Sequence, residues 1–87
     1  MTIRYEFIKR DIAGEDFLVP VGDAAKKFPG MFALNELASF IWDKLPEAEN
    51  EDAVVNAILD EYDVDRETAA KDTAEFLGKL REMEIID

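Results

Sequence analysis

Carboxylates are the only chemically suggestive cluster in these 87 residues, and they are densest in Asp60-Glu61-Tyr62-Asp63-Val64-Asp65-Arg66-Glu67. Asp63, Asp65 and Glu67 alternate as the first ligands of a calcium loop do, but such a loop needs Gly at its sixth position and a bidentate Glu at its twelfth. Thr68 and Ala74 stand there instead, so the stretch reads as a connection between two helices with Asp65 as the N-cap of the second. No other carboxylate pair has a neighbour in sequence that would raise a pKa for acid–base work. Ser39 is the only serine, and with no His in the chain nothing is available to activate it as a nucleophile. Cys is also absent, which removes disulfides, thiol chemistry and the usual transition-metal sites. Gly22 and Gly30 do not form a phosphate-cradling pattern. The expectation is a chain that is not an enzyme and holds no metal or cofactor.

The elements that position these residues change character near Asn35. Before it the pattern is strand-like. Tyr5 to Ile12 mostly alternates, Ala13-Gly14-Glu15-Asp16 reads as a turn, and Phe17-Leu18-Val19-Pro20-Val21 reads as a second strand completing a hairpin. Pro20 cannot donate to a ladder, so that strand is an edge or ends there. Gly22 to Pro29 is a polar connector, and Gly30 to Leu34 a short third strand.

Three helices follow. Asn35 caps the first, Glu36 to Leu45, whose apolar arc of Leu37, Ala38, Phe40, Ile41, Trp42 and Leu45 spans roughly 200° and marks a helix buried on two sides. Pro46 stops it. Asn50 caps the second, Glu51 to Tyr62, with Val54, Val55, Ile58, Leu59 and Tyr62 inward. Asp65 caps the third, Arg66 to about Glu84, with Ala69, Ala70, Thr73, Phe76, Leu77, Leu80 and Met83 inward. Ile85 and Ile86 are expected to fold back on the core. The fold class is α+β: a three-stranded antiparallel sheet followed by three helices, in one domain over 1–87.

Composition fits that reading. An apolar share of 48% suffices for one core. Acids outnumber bases 21 to 10, for a net charge of −11, which disfavours nucleic acid and anionic membranes as partners. Residues 1–43 hold 7 acids and 5 bases, residues 44–87 hold 14 and 5, so the helical half carries a solvated acidic face that would also steer basic partners. No signal peptide and no run of about 20 apolar residues is seen, and a cytoplasmic location is expected.

The stretch Gly30-Met31-Phe32-Ala33-Leu34-Asn35-Glu36-Leu37-Ala38-Ser39-Phe40-Ile41-Trp42 resembles the PqqD-like proteins, whose hallmark is a short strand running into "LNE-x-A-x-x-IW". Val19 to Phe28 is similar to that family's second strand and connector. Glu61-Tyr62-Asp63-Val64-Asp65 and Phe76-Leu77-Gly78-Lys79-Leu80 match its later segments. The resemblance spans about residues 5–86. It implies a winged helix-turn-helix-like domain that binds the leader segment of a ribosomally made precursor peptide and presents it to a modifying enzyme, often a radical S-adenosylmethionine protein. It also implies that the leader adds as a strand to the third strand, with side chains entering a groove against the third helix. The residues expected to carry binding are Met31, Phe32, Ala33 and Leu34, with Thr68, Asp72, Glu75, Phe76 and Lys79 on the helix. In strand period Phe32 and Leu34 take one face, the core side, and Met31 and Ala33 the other. The alternatives are a winged-helix transcriptional regulator, disfavoured because Asp72, Glu75, Glu82 and Glu84 outweigh Lys71, Lys79 and Arg81, and a homodimer or larger homo-oligomer formed through the same strand edge.

Overall fold

The hairpin follows from its turn. Ala13 and Gly14 both take positive φ, 54° and 84°, the two-residue loop whose twist matches that of the flanking strands. The Gly14 N–H donates to Asp11 Oδ1 at 3.0 Å. In this computed structural model, which describes residues Met1–Asp87, strand β1 (Phe7–Ile12) therefore pairs antiparallel with β2 (Glu15–Pro20), Ile12 opposite Glu15 and Phe7 opposite Pro20. Strand β3 (Phe32–Leu34) pairs antiparallel with the far side of β2, Leu18 opposite Phe32 and Asp16 opposite Leu34. The order β1-β2-β3 makes β2 the central strand, and it ends at Pro20.

The connector between β2 and β3 holds a short helix, α1 (Asp23–Lys27), where the sequence reads only as polar loop. Ala24 is buried and its carbonyl accepts from the Phe28 N–H at 2.9 Å. One turn of helix offers too little periodicity to be seen in sequence.

Backbone contacts fall into two units, Tyr5–Phe40, and Met1–Arg4 with Ile41–Asp87. In the first unit the inner sheet face carries Leu18, 1% exposed, and the buried Leu34. Four rings extend this core: Phe28 lies 5.4 Å from Tyr5, 5.6 Å from Phe7 and 5.6 Å from Phe32, centroid to centroid. The edge-to-face contacts of Phe28 with Tyr5 and Phe32 add to the burial itself. Lys27 Nζ stands 5.0 Å over the Tyr5 ring. Ser39, which offers no nucleophile in sequence, is a buried bridge here. Its hydroxyl accepts from Lys9 Nζ at 2.8 Å and donates to Asp16 Oδ2 at 2.7 Å. The pairing joins both hairpin strands to helix α2 (Glu36–Lys44). Asn35 caps that helix as expected, accepting from the Ala38 N–H at 2.8 Å.

In the second unit the end of α2 passes into a 3-10 turn, Leu45–Glu47, at Pro46. Helix α3 (Glu51–Glu61) is capped by Asn50, which accepts from the Ala53 N–H at 2.9 Å. Val54, Val55 and Ile58 face the core. Helix α4 (Arg66–Glu82) buries Ala69, Thr73, Leu77 and Leu80. The expected inward residues Ala70, Phe76 and Met83 are half-buried. Arg81 pairs with Glu51 at 3.6 Å, joining α4 to α3. The end of α4 is a Schellman motif: the Ile85 N–H bonds Leu80 O at 2.8 Å, the Glu84 N–H bonds Arg81 O at 2.9 Å, and Glu84 is left-handed at φ 61°. That reversal sends Ile85 and Ile86 back into the core, 0% and 2% exposed, where Ile86 bridges Ile3.

Two substitutions test this account. Ala13→Asn supplies a residue that tolerates positive φ and is expected to stabilise by about 1 kcal/mol. Gly78 lies inside α4 with nothing within 4 Å of where a Cβ would stand, so close packing does not require it. Gly78→Ala is expected to stabilise by up to about 1 kcal/mol. Each should raise the urea midpoint at unchanged slope. A lower midpoint would show that the turn or the helix is held by something other than its backbone preference.

Candidate functional site

The outer edge of β3 has no strand beside it. Which of its backbone groups face outward follows from the ladder. The Val21 N–H bonds Glu6 O at 3.1 Å, so Val21 turns its polar groups toward β1. Alternate residues of an antiparallel strand turn them to opposite sides. Val19, Phe17 and Glu15 therefore also bond β1, while Leu18 and Asp16 bond β3. Pro20 falls on the β3 side, at the point where β3 ends, which is why a residue without an N–H is tolerated in the central strand. By the same register, Phe32 and Leu34 spend their N–H and C=O groups on β2. Ala33, with Met31 just before the strand, directs its own outward.

The side chains follow the expected alternation. Leu34 is buried and Phe32 half-buried on the inner face, whereas Ala33 is exposed and Met31 is 53% exposed. No charge or proline of β3 obstructs pairing along this edge. The sheet thus offers a strand with one unpaired edge and apolar side chains alternating between its two faces, the arrangement to which an extended peptide adds by backbone hydrogen bonds.

The other expected residues lie on α4, in the second unit. Thr68, Asp72, Glu75 and Lys79 fall within an arc of about 60° at 100° per residue. Thr68, Glu75 and Lys79 are exposed, and Asp72 and the neighbouring Phe76 are half-buried. The start of this stripe is fixed by Asp65, whose Oδ1 accepts from the Thr68 N–H at 2.7 Å. The hydrogen bond from the Thr68 backbone, then that from its side chain, holds the Asp65 carboxyl below the ordinary carboxylate range, against a smaller opposing effect of desolvation. The helix-cap reading of the acidic stretch is therefore correct.

With this geometry in place, the comparison with known proteins is direct. Residues 18–86 match the family described as Coenzyme PQQ synthesis protein D (PqqD). The chain belongs to the PqqD family. It is similar to the solved structure of TbiB1 in complex with the TbiA(beta) leader peptide, at 30% identity and a TM-score of 0.74 over 100% of this chain and 95% of that one. It shares its fold with lasso peptide synthetase B1 complexed with the leader peptide, at 22% identity and a TM-score of 0.69 over 93% and 89% of the two chains. No curated protein sequence matches the chain.

Sequence reasoning on this PqqD-family chain missed the phase of the β3 hydrogen bonds. The signal was present in Pro20, whose lack of a donor marks the side on which the ladder stops.

The Asp65 cap carries a pH prediction. Its folded pKa is depressed, so its contribution is complete above the unfolded value of about 3.9 and is lost as pH falls through the lower folded value. Asp65→Ala is expected to lower stability at neutral pH, and the gap to the wild type should close on acidification below about pH 3.9. Urea melts at neutral and acid pH measure both; a gap independent of pH would assign the loss to something other than the ionised cap.

Proposed function

We propose that this PqqD-family chain binds the leader segment of a ribosomally synthesised precursor peptide and presents it to a modifying enzyme. The carrying observation is the open edge of β3, where Ala33 and Met31 direct backbone groups outward between the inward Phe32 and Leu34. The leader pairs with this edge as an added strand. The residues proposed to contact the leader, following the sequence resemblance, are Met31, Phe32, Ala33 and Leu34 at β3 and Thr68, Asp72, Glu75, Phe76 and Lys79 on α4. Support comes from TbiB1, a relative solved with a leader peptide bound over the same fold. The chain acts as carrier and not as catalyst, needs no cofactor, and works in the cytoplasm. The modifying enzyme is of the radical S-adenosylmethionine class, following the resemblance. No helix is long and apolar enough to cross a membrane, and the net charge of −11 sets the chain against nucleic acid.

The test uses a fluorescein-labelled synthetic leader from the precursor encoded with this chain. Binding at micromolar affinity or better is expected, with amide NMR shifts at residues 31–34 and 68–79. Ala33→Pro removes an outward donor and leaves the β2 ladder intact. It should weaken binding at least about tenfold, or about 1.4 kcal/mol, with circular dichroism unchanged. Unaltered affinity in a folded Ala33→Pro chain would refute strand addition at β3, and shifts confined to other residues would refute the site.

A further inference from the structure

The outer face of the sheet is apolar where water would favour polar side chains. An antiparallel sheet packed on one side ordinarily alternates apolar inward and polar outward. Here Ile8 is 41% exposed, Ile12 44% and Met31 53%. The chain's exposed large hydrophobics are these three and Val64, so they concentrate on one face. The register places Ile8 beside Val19 and Arg10 beside Phe17, with Ala33 next across. Continuing the β2–β3 register by one residue sets Met31 next to Val19. Phe17 and Val19 are half-buried, opposite in phase to the buried Leu18. Only Arg10 and Glu15 interrupt the apolar rows. Exposed apolar clusters of this kind mark surfaces that a partner covers.

We infer that this face docks the enzyme that modifies the delivered peptide, through an apolar surface that sets a carboxylate against Arg10. The inference rests on the leader-binding reading. Charge argues for such a partner over a second copy. The whole chain carries −11, so two copies held face to face repel. Within Tyr5–Phe40 the balance is milder, six acids (Glu6, Asp11, Glu15, Asp16, Asp23, Glu36) against four bases (Lys9, Arg10, Lys26, Lys27). Arg10, in the middle strand positions of β1, forms no ion pair within the chain and is the cation available to an acidic group. Continuity with the peptide edge supplies the second argument. A strand added to β3 turns every second side chain onto the face of Met31 and Ala33. An enzyme seated there touches carrier and cargo together, which couples delivery to the presence of a bound peptide.

Two variants separate docking from peptide capture: the double substitution Ile8→Lys with Ile12→Lys, at positions already more than one-third exposed, and Arg10→Glu. The probes are the labelled synthetic leader, read by anisotropy, and the purified modifying enzyme encoded with the precursor, read by interferometry and by turnover of full-length precursor. Both variants should bind the leader within twofold of wild type. The double variant should bind the enzyme at least tenfold more weakly and slow turnover at limiting carrier, with a smaller loss for Arg10→Glu. Unchanged enzyme affinity in both variants overturns the inference. So does sedimentation showing a wild-type dimer that the double variant splits, because a second copy then occupies the face. A wild-type chain that binds the enzyme but no leader overturns the reading of the β3 edge and leaves the docking face standing.

Discussion

The phase of the hydrogen bonds along β2 is the constraint on which the open edge of β3 depends. A central strand has one N–H and one C=O per residue and must divide them between two neighbours. The positive-φ turn at Ala13-Gly14 sets Ile12 against Glu15, and that choice fixes every later residue. Leu18 and Asp16 are left for β3, so Phe32 and Leu34 are consumed and Ala33 is released. A one-residue slip would reverse all of this. It would bury Met31 and Ala33, expose Leu34 and Phe32, and turn Pro20 toward β1, where a donor is needed.

Side chains defend that register from the inner face. Phe32 meets Phe28 edge to face and lies 6.1 Å from Phe7, and Leu18 and Leu34 are buried beside it. Lys9, Ser39 and Asp16 then fasten the hairpin at the one place where polar groups enter the inner face. Each of the three has a partner there, and no buried side-chain polar atom in the chain is left unsatisfied. Removing only Ser39's hydroxyl would leave Lys9 and Asp16 partly desolvated, so the network enforces one geometry more than it adds stability.

Local chemistry made most of the fold legible in the sequence. Asn35, Asn50 and Asp65 announce helix starts because a cap acts within three residues, and Pro46 and Pro20 announce stops for the same reason. The hairpin was readable from alternation, but its turn is Ala13-Gly14 alone: Glu15 and Asp16, which read as turn because they are polar, begin β2. The short helix α1 was not, since five residues hold no period. Nor was the left-handed Glu84, where a Glu stands in a conformation usually given to Gly. The pairing of Ser39 with Lys9 and Asp16 joins residues far apart in the chain and has no local signature. At the candidate site, the inward and outward faces of residues 31–34 were legible from period two. The outward direction of Ala33's backbone was not, because it is inherited from a turn twenty residues earlier through β2.

Backbone pairing alone does not account for useful affinity at so short an edge. The groups left open at Met31 and Ala33 admit bonds of about 1 kcal/mol net each, about 4 kcal/mol together, whereas a micromolar complex requires about 8 kcal/mol. Loss of translational freedom widens that gap. Side chains must supply the remainder, and on the inner side Phe32 is only half-buried, its ring still open beside Phe7 and Phe28. An apolar residue of an added strand opposite Phe32 would extend this aromatic cluster by burying surface worth about 25 cal/mol per Å². Under the proposed strand addition, the edge would set direction and register, and the aromatic cluster beneath it would supply the sequence selectivity.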